Sequence, residues 1–273
     1  MRLASGMDFC EGPVWRADSK DLILSDIPGK TLMRWSEAEG LTDWMELDGP
    51  NGNALDVDGE LLTCVHGART VVRHGPDGPL PLFQGLGGRR LNSPNDLTVQ
   101  SDGVLWFTDP PWGLERQRVG RELPGNWVYR LDRRSGDLRA VLKDHSMPNG
   151  IALSPGEDRL YVADTGGHPS HPDAGLHGRP ATITAYRLEG GELASPEPVW
   201  QIETLCDGMC VDGAGRIFAT GQDGVTAWGP DGGYLGLIPV PERPSNVCLG
   251  GPSGQTLFIT ARTSLYRASL PPR

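Results

Sequence analysis

The chain repeats one short pattern six times. A polar residue stands just ahead of an apolar run at Glu11, Asn51, Asn95, Asn149, Asp207 and Ser245. Some ten to twelve residues after each begins a second run: Leu22-Ile23-Leu24, Leu61-Leu62-Thr63, Leu105-Trp106-Phe107, Leu160-Tyr161-Val162, Ile217-Phe218-Ala219 and Leu257-Phe258-Ile259. The six positions are spaced by 40, 44, 54, 58 and 38 residues. Turn pairs such as Asp58-Gly59, Asp102-Gly103, Pro155-Gly156 and Ala214-Gly215 separate the runs. Glycine supplies the positive φ that tight hairpins require. Third runs follow, as in Val128-Tyr129-Arg130-Leu131 and Ile183-Thr184-Ala185-Tyr186.

A unit of this length, built from short strands and hairpin turns, is the period of a propeller blade. Six such units use the whole chain. The expected architecture is therefore all-β: a single domain over residues 1–273, a six-bladed β-propeller with four-stranded blades. The last unit shows only three strands, at Val247–Leu249, Leu257–Thr260 and Ser264–Arg267. Residues Arg2–Ala4 are expected to supply its fourth, joining the termini and removing a free sheet edge. The longer third and fourth units carry loops at Pro110–Pro124 and Gly166–Pro180. The 38 glycines and 24 prolines are spread along the chain, as many short strands require. No long stretch carries helical apolar spacing. A β-sandwich would leave the repeat length unexplained.

The formal charge of −10 argues against nucleic acid as a partner, because phosphate binding needs clustered Lys and Arg. The charge itself reads chiefly as solubility. No run approaches the roughly 18 apolar residues of a membrane span, and the first nine residues hold no apolar signal core. Cys10, Cys64, Cys206, Cys210 and Cys248 are odd in number and irregular in spacing. They read as free thiols in a reducing, cytoplasmic compartment.

In a propeller the innermost strand of each blade lines the central channel. The six repeated polar positions then open those strands on one face of the ring. Carboxylates at Glu11 and Asp207 converge there with amides at Asn51, Asn95 and Asn149. Such hard oxygen donors suit Ca²⁺, Mg²⁺ or Mn²⁺, with Zn²⁺ also accommodated. The amides, each both donor and acceptor, suit polyhydroxylated substrates. Asn51 and His66 are candidate substrate contacts, as is Trp112, which can stack on a ring.

The motifs form an ordered series: Glu11-Gly12-Pro13-Val14-Trp15, Ser25-Asp26-Ile27, Ser93-Pro94-Asn95-Asp96-Leu97, Trp106-Phe107-Thr108-Asp109-Pro110-Pro111, Pro148-Asn149-Gly150-Ile151-Ala152 and Asp207-Gly208-Met209-Cys210-Val211-Asp212. From Glu11 to Tyr266 the chain resembles the senescence-marker-protein/gluconolactonase/regucalcin family, and its microbial gluconolactonase branch more than animal regucalcin. The resemblance implies a six-bladed propeller with one divalent metal in the channel. It places metal ligands at Glu11, Asn149 and Asp207, with Asn95 near both metal and substrate. It gives Asp207 the further role of catalytic base. Regucalcin-like members place an arginine, which holds sugar hydroxyls, where this chain has Ser93.

The function expected is that of a lactonase opening a gluconolactone-like sugar lactone or similar small cyclic ester. The metal, Ca²⁺ before Mn²⁺, Mg²⁺ or Zn²⁺, polarises the carbonyl, and Asp207 activates water. Alternatives are a metal-dependent hydrolase of other esters or phosphotriesters, a non-catalytic calcium- or ligand-binding propeller, and a protein-interaction propeller. Glu11 and Asp207 in one register weigh against the last. Other polar residues have structural readings. Asp26, Asp109 and Asp164 end second strands and are expected to bond backbone groups. Asp96 has two readings, joining the metal ligands or bracing Asn149, and is placed behind the ligands rather than among them. His168, His171 and His177 are read as solvated loop residues. The tryptophans other than Trp15 and Trp112 are read as packing between blades.

Overall fold

The computed structural model describes residues 1–167 and 173–271. Its strands form six four-stranded antiparallel sheets. Blade one holds β2 (Cys10–Arg16), β3 (Asp21–Asp26), β4 (Thr31–Ser36) and β5 (Gly40–Glu46). Blade two holds β6 (Pro50–Leu55), β7 (Leu61–Val65), β8 (Thr70–Gly75) and β9 (Gly78–Pro81). Blade three holds β10 (Leu97–Val99), β11 (Leu105–Asp109), β12 (Trp127–Asp132) and β13 (Asp137–Leu142). Blade four holds β14 (Pro148–Leu153), β15 (Arg159–Asp164), β16 (Thr182–Glu189) and β17 (Glu192–Glu203). Blade five holds β18 (Met209–Val211), β19 (Ile217–Thr220), β20 (Gly224–Trp228) and β21 (Tyr234–Pro239). Blade six joins β22 (Asn246–Gly250), β23 (Thr256–Ala261) and β24 (Ser264–Ser269) to the first strand of the chain, β1 (Arg2–Ser5). The ring closes as expected: Ser5 pairs with Ser264, Ala4 with Leu265 and Arg2 with Tyr266.

The second strand of a blade is covered by a neighbouring blade on each face, so it carries no alternation. Every residue of β3, β7, β11 and β19 is buried. Continuous apolar runs suit such two-sided burial. The outermost β17 and β21 are largely exposed. Core clusters lie between blades: Trp106 and Val128 of blade three pack with Ile151, Leu160, Val162 and Tyr186 of blade four. Trp15 stacks on Phe258 at 5.3 Å, which joins blade one to blade six. Trp35 and Trp106 are buried, and the Trp106 indole donates to Gln100 at 2.6 Å. All five cysteines are free thiols: Cys10, Cys64 and Cys206 are buried, and Cys210 and Cys248 are half-buried.

The six inner strands surround a channel cavity of about 300 Å³ lined by Gly12–Val14, Asn53–Leu55, Asp96–Val99 and their counterparts in the other three blades. One element differs from the expected loops. Within Pro110–Pro124 lies a six-residue helix, α1 (Trp112–Gln117), which ends at Arg118 with φ 56°. The hydroxyl of fully buried Ser93 fixes its start, donating to the Pro110 carbonyl at 2.5 Å and accepting from the Gly113 amide at 2.9 Å. Gln117 closes its other end by donating to the His66 carbonyl at 2.6 Å. Ser93 is thus engaged in holding α1. Among the described residues, no helix is long and apolar enough to cross a membrane.

Candidate active site

On the face where the inner strands begin, the channel opens into a cavity of about 830 Å³. Glu11, Asn51, His66, Asn95, Trp112, Asn149 and Asp207 all line it. The sequence-predicted residues of five blades therefore share one space. Ser245, the sixth repeated position, faces elsewhere. Its hydroxyl donates to the Cys10 carbonyl at 2.6 Å and ties blade six to blade one.

Two devices bring these side chains together. The first is the aspartate that ends a second strand. Asp26 accepts from the amides of Asp8 and Phe9, Asp109 from Asn92, and Asp164 from Ser146 and Met147. Each carboxylate thus holds the segment that delivers Glu11, Asn95 or Asn149. The structural reading of these three aspartates stands. The second device is the glycine that follows an anchor. Gly52 donates to the Asn95 carbonyl at 2.8 Å and Gly150 to the Asp207 carbonyl at 2.7 Å. A Cβ on Gly52 would lie 2.6 Å from the Asn95 oxygen, and one on Gly150 would lie 2.4 Å from the Asp207 oxygen. Only a residue without a side chain lets neighbouring inner strands approach so closely.

Glu11 is buried, and its Oε2 accepts from the Gly12 amide at 2.9 Å. Burial raises its pKa well above the usual carboxylate range, and the negative charges of Asp207 and Asp96 add to the rise. Burial also raises Asp207, while the Asn149 amide and the Arg243 charge pull it down. Asn149 donates from Nδ2 to Asp207 Oδ1 at 2.5 Å, which fixes the carboxylate, and its amide oxygen has no hydrogen-bond partner among the described residues. Asn95 is buried by its protein neighbours, but its side-chain amide makes no hydrogen bond among the described residues.

Among the described residues Asp96 makes no direct hydrogen bond to Asn149, and its carboxylate is instead engaged by the Ile151 amide further along the same strand. Asp96 lies deeper, lining the channel, where its carboxylate also accepts from Asn246 Nδ2 at 3.3 Å and from the Leu97 amide at 2.9 Å. Burial pushes its pKa up to about 7. The Asn51 amide nitrogen meets His66 Nε2 at 3.1 Å. Nε2 therefore accepts, and the ring proton sits on Nδ1, which has no partner among the described residues. Burial, helped by the charge of Arg116, lowers the His66 pKa to about 3, so the ring is neutral.

The donor set fits a hard divalent cation. Three carboxylates, Glu11, Asp96 and Asp207, raise one another's proton affinity or are raised by burial, which is a local demand for positive charge. Among the described residues no group of three or more His, Cys, Asp or Glu side chains forms a metal cage. A cation here would draw on the amide oxygens of Asn95 and Asn149 beside Glu11 and Asp207, an all-oxygen set of the kind calcium and magnesium accept.

Sequence reasoning missed three cavity-lining arginines. Arg116 projects from α1, Arg179 from the connection between β15 and β16, and Arg243 from the connection between β21 and β22. None lies at a repeated position, so the register carries no signal for them. His168 and His171 lie outside the described residues. His177 follows a single 3₁₀ turn at Ala174–Leu176 and is exposed.

The geometry has counterparts among known proteins. The chain is 34% identical to a gluconolactonase from Xanthomonas campestris whose structure superposes with a TM-score of 0.87, covering 99% of this chain and 89% of that one. It is 32% identical to the gluconolactonase of Zymomonas mobilis, over 97% of this chain and 79% of the relative. It is 29% identical to a pentonolactonase of Haloferax volcanii, over 92% of this chain and 80% of the relative. Residues 9–263 match the family model described as the SMP-30/Gluconolactonase/LRE-like region, and the chain belongs to that family.

Proposed function

We propose that the protein is a divalent-metal-dependent lactonase that opens a sugar lactone of the gluconolactone type. One observation carries this reading: Glu11, Asn95, Asn149 and Asp207, from four different blades, line a single cavity. The gluconolactonase and pentonolactonase relatives support the substrate class. Glu11, Asn95, Asn149 and Asp207 would hold the cation, with Ca²⁺ preferred over Mn²⁺, Mg²⁺ or Zn²⁺. When bound, it supplies Lewis-acid polarisation of the lactone carbonyl and positive charge for the oxyanion.

The chain's own groups do the rest. Asp207, its orientation fixed by Asn149, holds the attacking water and receives its proton. The water oxygen bonds to the carbonyl carbon and the ring C–O bond breaks. The ring oxygen takes up a proton, and the product is an open-chain hydroxy acid. Asn51, oriented by neutral His66, and the free amide of Asn95 receive the sugar hydroxyls. Trp112 covers the ring face from α1.

A pH-indicator assay of gluconolactone opening, corrected for the buffer rate, tests this. Chelated protein should be inactive, and Ca²⁺ should restore activity. Asp207→Ala should lower the rate by about 10²-fold or more. No opening above buffer with Ca²⁺, Mn²⁺, Mg²⁺ or Zn²⁺ would sink the lactonase reading. Unchanged turnover in Asp207→Ala would remove that residue from the mechanism.

A further inference from the structure

Arg179 has no task in the opening of a neutral lactone, and Arg116 and Arg243 act there only through the charge they place near His66 and Asp207. The three arginines reach the cavity from three different connections, after β11, after β15 and after β21. The chain as a whole is acidic, with a net charge of −10. Elsewhere it answers sheltered arginines with carboxylates, as Arg69 with Glu122, Arg130 with Glu192 and Arg133 with Asp56. Among the described residues, none of Arg116, Arg179 and Arg243 has an ion-pair partner. Glu115 also lines the cavity, yet it forms no ion pair with Arg116, and its charge acts on Arg121 instead. Partial burial lowers the pKa of Arg116, and the charge of Asp26 offsets that only in part. Arg179 is steadied from behind, donating from one guanidinium nitrogen to the Asp144 carbonyl at 3.0 Å.

Guanidinium groups with unengaged donors suit carboxylate and phosphate, which they bind in a fork geometry. The cavity is large for one small sugar ring. We infer that the substrate is a lactone carrying a second anionic group, a carboxylate or a phosphate, remote from the reacting carbonyl, and that Arg116, Arg179 and Arg243 receive it. This rests on the lactonase reading and narrows its substrate class. The reacting carbonyl then faces Glu11 and Asp207, and the anionic end faces the arginines. The amides of Asn51 and Asn95 serve the hydroxyls between.

The test compares kcat/KM of the calcium-loaded protein for gluconolactone, glucarolactone and 6-phosphogluconolactone, each corrected for spontaneous opening. At least one charged lactone should be favoured over the neutral one by about tenfold or more, the scale of one charge-assisted contact. The preferred one identifies the anion as carboxylate or phosphate. The advantage should shrink in about 0.5 M salt. Because Arg243 also acts on Asp207, the informative variants are Arg116→Gln and Arg179→Gln. Each should lower kcat/KM for the charged lactone far more than for gluconolactone, through KM. If gluconolactone is opened as well as either charged lactone, or both variants depress all three equally, the inference is overturned and the lactonase reading survives. If no lactone is opened, the lactonase reading fails. Calorimetric titration with glucarate, 6-phosphogluconate and gluconate then tests the arginines alone. Binding of both glucarate and 6-phosphogluconate no tighter than gluconate overturns the inference there too.

Discussion

Single residues in this protein are tuned by charge, in opposite directions at two places. Around the cavity, burial raises Glu11, Asp207 and Asp96, the last to about 7. A buried carboxylate raised in this way binds its proton more tightly, so a cation must compete with that proton. Divalent affinity should therefore fall as the pH drops below about 7, and cation binding should release protons. Calcium titrations in buffers of different ionisation enthalpy measure both, and an affinity unchanged down to about pH 5 would contradict this. Asp21 goes the other way. It is fully buried, and burial alone would raise it. Hydrogen bonds from Arg16, Ser19 and Arg34 outweigh that and hold it at about 2, against an ordinary value of 3.8. A depressed carboxylate stabilises the fold fully above its unfolded value and loses that contribution as the pH falls through its folded value. Asp21→Asn should cost about 2 kcal/mol at neutral pH, with the gap to wild type closing from about pH 4 towards pH 2. Urea unfolding at several pH values checks it, and a pH-independent gap would refute the linkage.

At the scale of the element, each inner strand is placed by a polar anchor and the glycine behind it. Gly150→Ala would drive a Cβ to 2.4 Å from the Asp207 carbonyl. The variant should lose about 2 kcal/mol or more of stability and, with Asp207 displaced, most of its lactone-opening rate. Thermal unfolding and the indicator assay together check it, and full activity in a protein of unchanged stability would contradict this packing account. The strands themselves were legible in the sequence because two-sided burial writes continuous apolar runs such as Leu22-Ile23-Leu24. Helix α1 was not, since six residues are too few to show a helical period. Ser93 was legible as a departure from regucalcin-like members. Its bonds to Pro110 and Gly113 show what occupies it, namely the seating of the helix that carries Trp112 and Arg116.

At the scale of the whole molecule, the ring is closed by β1 on β24, with the backbone of Arg267 also donating to the Met1 carbonyl at 2.8 Å. Deleting residues 1–5 should leave β24 as an open edge, lowering the melting temperature and promoting association. Light scattering during a thermal ramp reads both, and a truncated chain that melts like the full one would show that closure contributes little. The blade count and closure were legible because period and length together permit one ring. The anchors were legible because their motifs keep their order at blade spacing. The cavity's arginines and the Asp96–Asn246 contact across the channel were not. The former arise in connections of irregular length, and the latter joins positions 150 residues apart with no shared motif. Lactone opening by this mechanism requires one cation site assembled from four blades. Anomalous scattering from a crystal soaked in Mn²⁺ tests it most directly. A single strong peak is expected within coordination distance of Glu11, Asn149 and Asp207, and a peak only elsewhere, or none, would rule this site out.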